Sequence, residues 1–145
     1  MKALIQRVKK ASVTIDGKLY SSIGQGLLVL LGVVKGDEKQ NAELLAEKLL
    51  KLRIFEDENE KMNRSLLDVG GEMLVVSQFT LCGDCKKGTR PSFDKSAPPE
   101  IANELYEYFV TQIKSSNVPC KTGKFGAMME VELINDGPVT FMVEK

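Results

Sequence analysis

Two glycine turns close together set the first constraint on this chain. Asp16-Gly17 and Gly24-Gln25-Gly26 cut the first 34 residues into three segments, 3–15, 18–23 and 27–34. In the first, Leu4, Val8, Val13 and Ile15 lie among polar neighbours, which reads as a strand. Asp-Gly after such a run is a hairpin signal, because glycine tolerates the positive φ of a tight turn. The third segment is apolar apart from Gly32 and predicts a strand buried on both faces. Three strands joined by tight turns predict an antiparallel meander.

The period then changes. Asp37 is placed to cap a helix, with Gln40 three residues on to complete a capping box. Ala42, Leu45, Leu49 and Leu52 form one apolar stripe that fades near Arg53. Residues 56–61 read as a charged, solvated turn, and 61–71 as irregular chain with a turn at Gly70-Gly71. A strand is predicted over 72–81, then a long loop over 82–97 rich in Gly, Lys, Ser and Pro. Loops of that length in compact domains are uncommon unless functional. A second helix starts near Ser96 or Ala97, with Pro98-Pro99 in its first turn and Ile101, Leu105, Phe109 and Ile113 on its apolar face. Finally, runs 129–134 and 139–143 flank Asn135-Asp136-Gly137-Pro138, predicting two strands about a turn. Pro138 complicates that turn, since it gives no N–H to a ladder and restricts Gly137. The expected fold is α+β: a single domain over 1–145, with a mostly antiparallel barrel-like sheet and two main helices packed against it.

Composition removes several chemistries. The chain has no histidine, which excludes Ser-His-Asp and Cys-His catalysis and any His-ligated metal. Twenty basic residues balance twenty acidic ones, so RNA would have to be met through a local patch. No apolar run approaches the ~20 residues of a membrane span, and Lys2, Arg7, Lys9 and Lys10 near the start are unlike a secretory signal. A cytoplasmic location is expected, with no membrane partner, no cofactor and no metal.

Three groups of residues are candidates for chemistry. Cys82-Gly83-Asp84-Cys85 has the spacing of a redox pair, but no helix follows to stabilise a thiolate. Zinc would need four ligands, and only Cys120 remains; incidental loop cysteines are the better account. Lys86, Lys87, Arg90 and Lys95 against Asp84 and Asp94 give the loop a local excess of two positive charges, suited to phosphate or to solvent. Ser77-Gln78-Phe79-Thr80 ends an apolar strand in hydroxyls and an amide, which either line a pocket at a sheet edge or satisfy the backbone where the strand breaks.

Ser77-Gln78-Phe79-Thr80-Leu81 and Asn135-Asp136-Gly137-Pro138-Val139-Thr140 together resemble the two signature motifs of the D-aminoacyl-tRNA deacylases. Arg7-Val8, Ala11-Ser12-Val13, Lys61-Met62-Asn63, Arg90-Pro91-Ser92-Phe93 and Thr122-Gly123-Lys124-Phe125 extend the resemblance, in order, over essentially the whole chain. The cysteine pair is outside the pattern. The resemblance implies a homodimer with active sites at the interface, where a cis Gly137-Pro138 peptide reaches into the partner's site and Ser77–Thr80 lines the same pocket. It implies an aminoacyl-tRNA substrate, from which a D-amino acid is released by ester hydrolysis, and no DNA partner.

Physical reasoning adds to this. With the ammonium and carbonyl of an aminoacyl ester fixed, inverting the α-carbon exchanges hydrogen and side chain. A rigid wall of backbone carbonyls on one side then admits D residues of many kinds and rejects L residues. Attractive contacts discriminate by only ~1–3 kcal/mol per methylene, so exclusion is the stronger device. Glycine, with hydrogen on both sides, passes the wall. Thr80 has no adjacent base to make it a nucleophile. Water attack helped by the 2′-hydroxyl of the terminal ribose fits a histidine-free chain, with Thr80 and Gln78 positioning and backbone N–H groups near Phe79 and Thr80 stabilising the oxyanion. Phe125 is a candidate either to stack on the adenine or to fill the core. The alternatives are a non-catalytic RNA- or nucleotide-binding barrel of the same fold, and a thiol-redox protein using Cys82 and Cys85.

Overall fold

The computed structural model describes residues 1–145, and its architecture is organised by one long strand. That strand, β1 (Lys2–Ile15), pairs antiparallel with β3 (Gly26–Gly32) through Lys2–Val8 and with β2 (Lys18–Ile23) through Ala11–Ile15. Its other edge pairs with β8 (Glu130–Glu144) along nearly its whole length. The predicted meander is therefore corrected. β2 does not pair with β3, because β1 is long enough to offer one half to each.

Two pairings are parallel: β3 with β6 (Glu72–Ser77), and β6 with β7 (Cys120–Thr122). Parallel neighbours need crossovers. The two helices, α1 (Lys39–Lys51) and α2 (Pro99–Ser115), supply them, so the sheet runs β2-β1-β3-β6-β7 with β8 beside β1. The Ser21 hydroxyl of β2 donates to the Thr122 carbonyl of β7 at 2.8 Å, drawing the ends of this order together. The result is a mixed sheet nearly closed into a barrel with two helices against it, the α+β class expected.

Alternation divides the core. Leu27, Val29, Leu31, Met73 and Val75 face the helices and join Leu45, Leu49, Leu105 and Phe109 in the larger cluster. Leu28, Leu74 and Val76 face inward with Val8, Ala11, Val13 and Ile23.

Several local expectations shift. The cap of α1 is Glu38, which forms its box with Asn41. Asp37 instead accepts the Val34 N–H at 2.7 Å and the Met1 ammonium at 2.8 Å. Ile101 stays half-exposed, and the buried stripe of α2 starts at Ala102. Residues 55–64 are a small hairpin, β4 (Phe55–Glu56) and β5 (Met62–Arg64). The Asp57 carboxylate holds its turn by accepting from Asn59 N, Lys61 N and Asn63 Nδ2, which keeps its pKa below the usual carboxylate range. β6 ends at Ser77, four residues short of the prediction.

The largest correction concerns residues 129–143. The two apolar runs are not two strands but one, β8, and both pair with β1. Gly137-Pro138 is a bulge within that strand.

Candidate active site

The carboxyl ends of the parallel strands β3, β6 and β7 meet at one rim, the usual place for ligands on open α/β sheets. Ser77 closes β6 there. The Gln78 N–H still reaches back to the Leu31 carbonyl at 2.8 Å, and then the chain tightens into a 3-10 turn, Phe79–Cys82. The turn packs closely over β3. A Cβ on Gly32 would stand 3.1 Å from Cys82 Sγ and 3.3 Å from the Gln78 carbonyl oxygen.

Thr80 and Phe79 are exposed, while Ser77 and Gln78 are half-buried. The Gln78 amide donates to the Thr80 hydroxyl, and no charged group bonds that hydroxyl. As the first residues of the turn, Phe79 and Thr80 have no preceding turn to accept their N–H groups. Phe79 leans on Phe93 with ring centroids 5.1 Å apart.

Phe125 reaches the same rim from β7. The Gly123 N–H bonds the Val75 carbonyl at 3.0 Å, which sets the following loop beside the end of β6. Phe125 is half-buried against Tyr106, 5.9 Å between centroids, and lines a cavity of about 610 Å³ with Lys114 and Lys124. Part of the ring is core and part faces the cavity. The Tyr106 hydroxyl donates to the Val75 carbonyl at 2.8 Å, and burial pushes its pKa up, so it stays protonated.

Gly137 and Pro138 lie elsewhere. Gln6 pairs with Thr140 and Val8 with Asn135, so β8 spends three extra residues opposite Arg7. The bulge is tied at its base. Asn135 Oδ1 accepts the Val139 N–H at 2.9 Å, and its Nδ2 donates to the Val139 carbonyl at 3.0 Å. Arg7 Nε donates to the Asp136 carbonyl at 2.9 Å, and Arg7 Nη1 to the Ile54 carbonyl at 2.8 Å. The peptide between Gly137 and Pro138 is cis, both residues are exposed, and neither carbonyl accepts from a side chain. Gly137 has φ +152°, and a Cβ there would lie 2.5 Å from Val139 Cγ2.

The structure thus brings Ser77, Gln78, Phe79, Thr80 and Phe125 to one rim, and sets Gly137-Pro138 apart. Ser77 is in register with Leu31 and Leu31 with Ala3, whereas the bulge faces Arg7. Four residues along β1 at ~3.3 Å each, and the steps from β8 through β1 and β3 to β6 at ~4.8 Å each, give a separation on the order of 20 Å.

Sequence reasoning gave Arg7, Asn135 and Asp136 no role. Arg7 carried a signal, because it occupies the buried phase of Ala3 and Ile5, where a charge has to be paired. It is only 4% exposed, with Asp136 and Glu56 carboxylates within 3.5 Å. Cys82 is buried, its thiol donating to the Val33 carbonyl and its pKa pushed up by burial, and Cys85 is exposed. That environment is the reverse of a reactive thiolate's.

The chain matches the model of a family described as D-Tyr-tRNA(Tyr) deacylase over residues 4–144. It is 60% identical over 144 residues to the D-aminoacyl-tRNA deacylase of Koribacter versatilis, covering 99% of this chain and 97% of that protein. It is 57% identical to that of Pelobacter propionicus, with both chains fully covered. Among solved structures, a protein titled c-Myc DNA Unwinding Element Binding Protein superposes with TM-score 0.95 at 44% identity, covering 100% of this chain and 99% of that one. A probable eukaryotic D-amino acid tRNA deacylase superposes with TM-score 0.82 at 17% identity over 99% and 98% of the chains, a likeness of fold.

Proposed function

The chain belongs to the D-Tyr-tRNA(Tyr) deacylase family, and from that premise we propose that it hydrolyses the ester of D-aminoacyl-tRNA, releasing the D-amino acid and the tRNA. Residues 1–145 act as one domain, in the cytoplasm where charged tRNA is found. The carrying observation is the family match together with exposed Phe79 and Thr80 in the turn at the rim of the parallel strands.

The working unit is a homodimer. The separation on the order of 20 Å between the end of β6 and the bulge supports this, because a second copy can carry its bulge over the first copy's turn. Exposed Ile134, Phe141 and Met142 on β8 give that strand apolar surface to cover. In the assembled site, Gly137 and Pro138 of one chain form the wall against which the α-carbon rests. Their carbonyls are free of side-chain donors, and Arg7 and Asn135 hold the base of the bulge fixed. An L side chain strikes this wall; a D side chain points away from it. Glycyl-tRNA passes the same wall and is also hydrolysed.

In the reaction, water attacks the ester carbonyl while the 2′-hydroxyl of the terminal ribose assists. The Phe79 and Thr80 N–H groups face the developing oxyanion. Gln78 orients the Thr80 hydroxyl, and the two position the ester. Ser77 lines the pocket and Phe125 takes the adenine. Neither cofactor nor metal enters a step.

Incubation with D-Tyr-tRNA and L-Tyr-tRNA separately is the test. Release from the D ester alone is expected, and equal release from both, or none from D, overturns the reading. Tight RNA binding without release would instead favour the non-catalytic barrel.

A further inference from the structure

Past the 3-10 turn, residues 84–95 form a basic structure that the hydrolytic site does not use. Asp84 and Ser92 exchange backbone hydrogen bonds of 2.8 and 3.0 Å, closing a small loop with Gly88 at its tip (φ +68°). Its base is pinned to the end of β3, through the Lys35 N–H to the Lys95 carbonyl at 2.9 Å and the Ala97 N–H to the Val33 carbonyl at 3.0 Å. Phe93 anchors it against Phe79. The base of this cationic loop is therefore held at a fixed place beside Phe79.

Lys86, Lys87 and Arg90 are exposed and make no ion pair, and Lys95 has only a 3.7 Å contact with Asp84. A cavity of about 440 Å³ opens between this loop and the first residue of β1, lined by Lys2, Lys86 and Lys95, with Asp84 as its one acid. Asp84 accepts the Lys86 backbone N–H at 2.9 Å and pairs with Lys95 at 3.7 Å, so it offsets one of the three cations. The larger cavity at Phe125 has a smaller excess, Lys114 and Lys124 against Glu107. In a chain of zero net charge, the cationic excess beside the reactive turn is local.

We propose that the loop 84–95, with the cavity of Lys2, Lys86 and Lys95, is a phosphate-binding surface for the RNA strand of the substrate. It grips the backbone next to the ester without reading sequence, as cations on phosphates do. The proposal rests on the deacylase reading of the rim. It assigns the loop to affinity and the turn Phe79–Cys82 to turnover.

The test compares wild type with a Lys86→Gln, Lys87→Gln, Arg90→Gln variant over a range of potassium chloride, on D-Tyr-tRNA and on the phosphate-free ester D-tyrosyl-adenosine. For the tRNA, KM rises roughly tenfold with little change in kcat. The slope of log(kcat/KM) on log[salt] flattens by about two, ~0.7 for each lost contact on a single strand. For the adenosine ester, variant and wild type match. An unchanged slope overturns the proposal, and so does an equal loss on both esters, which would make the loop a brace for the turn. Direct binding of uncharged tRNA at the same salt concentrations reads the loop independently. If wild type releases no D-tyrosine, the deacylase reading fails, while the binding slopes still decide on the loop.

Discussion

The two ends of the sheet are built on opposite plans. At the rim of the parallel strands, half-buried and exposed side chains (Ser77, Gln78, Phe79, Thr80) follow the last ladder bond, and their support comes from packing beneath them. At the bulge, the exposed groups are main chain, and side chains are the fastening, with Arg7 and Asn135 tying four carbonyl and N–H groups between them. A site that positions an ester for attack needs groups able to adjust by a rotamer. A site that excludes by shape needs atoms that cannot move. In the proposed homodimer, the separation of these two tasks is a physical reason for assembling the pocket from two chains.

The strongest way to break this comparison is to release the bulge. Arg7→Met removes a nearly buried guanidinium whose hydrogen bonds go to Ile54 and Asp136 carbonyls. It leaves those carbonyls and the Asp136 carboxylate without their partner, at a cost of about 3 kcal/mol or more. A thermal melt should show Tm lower by roughly 6–12 °C. The same variant, assayed below its Tm, should hydrolyse L-Tyr-tRNA measurably. Stability lost with chirality intact would show that the bulge does not need its fastening.

Gly137→Ala presses on the same end with a smaller perturbation. At φ +152° an added Cβ would overlap Val139, 2.5 Å from Cγ2 and 2.6 Å from N, so the bulge must shift. About 1–3 kcal/mol of stability is expected to go, as for other residues held in glycine-only regions. The D-to-L ratio of kcat/KM should fall by a larger factor than kcat on the D ester. A proportional fall in both would place Gly137 outside the filter.

At the rim the expected effect is smaller still. Thr80→Ala deletes a hydroxyl that accepts one amide bond from Gln78. If Thr80 positions the ester, its loss costs about one hydrogen bond, ~0.5–1.5 kcal/mol, or roughly two- to tenfold in kcat. Complete loss of turnover with retained tRNA binding would make Thr80 the nucleophile and reverse the division of labour.

How legible these ends were in the sequence follows from how local their causes are. The polar end of β6 was visible because the strand's apolar run stops in Ser77-Gln78-Phe79-Thr80, although the 3-10 turn itself reads in the sequence as further strand. The helical stripes and the doubly buried β3 were visible for the same reason. The bulge was misread as a hairpin turn because Asp136-Gly137 is a local turn signal, while its true partner, β1, is about 130 residues away in the chain. The parallel pairings of β3, β6 and β7 depend on crossovers that no window of residues displays. Arg7 showed only as a charge in an apolar phase, and its partners Ile54 and Asp136 come together only in the folded sheet. Thus the rim was readable and the bulge was not, because the bulge is a product of long-range pairing.

The smallest effect concerns the ground under the bulge. Val69 lines a cavity of about 320 Å³ with Arg7 and Gly137, and its turn is held by Asp68. Asp68 Oδ2 accepts the Ser65 N–H at 2.7 Å and the Ser65 hydroxyl at 2.8 Å. The Ser65 N–H first, and its hydroxyl second, hold the Asp68 pKa below the usual carboxylate range. A carboxyl whose pKa is lower folded than unfolded stabilises the fold above its unfolded value, near 3.9 for Asp. That contribution fades as pH falls below about 4 and is gone once pH has passed through the depressed folded value. Asp68→Asn should therefore lower Tm slightly at pH 7, and the two Tm curves should converge in acid. Since the turn carries Val69 into the cavity that Gly137 also lines, acid should erode rejection of the L ester in wild type before it slows release from the D ester. A constant Tm gap between variant and wild type from pH 7 to pH 3 would show that Asp68 acts by shape and not by charge. Its turn would then give the bulge no acid sensitivity.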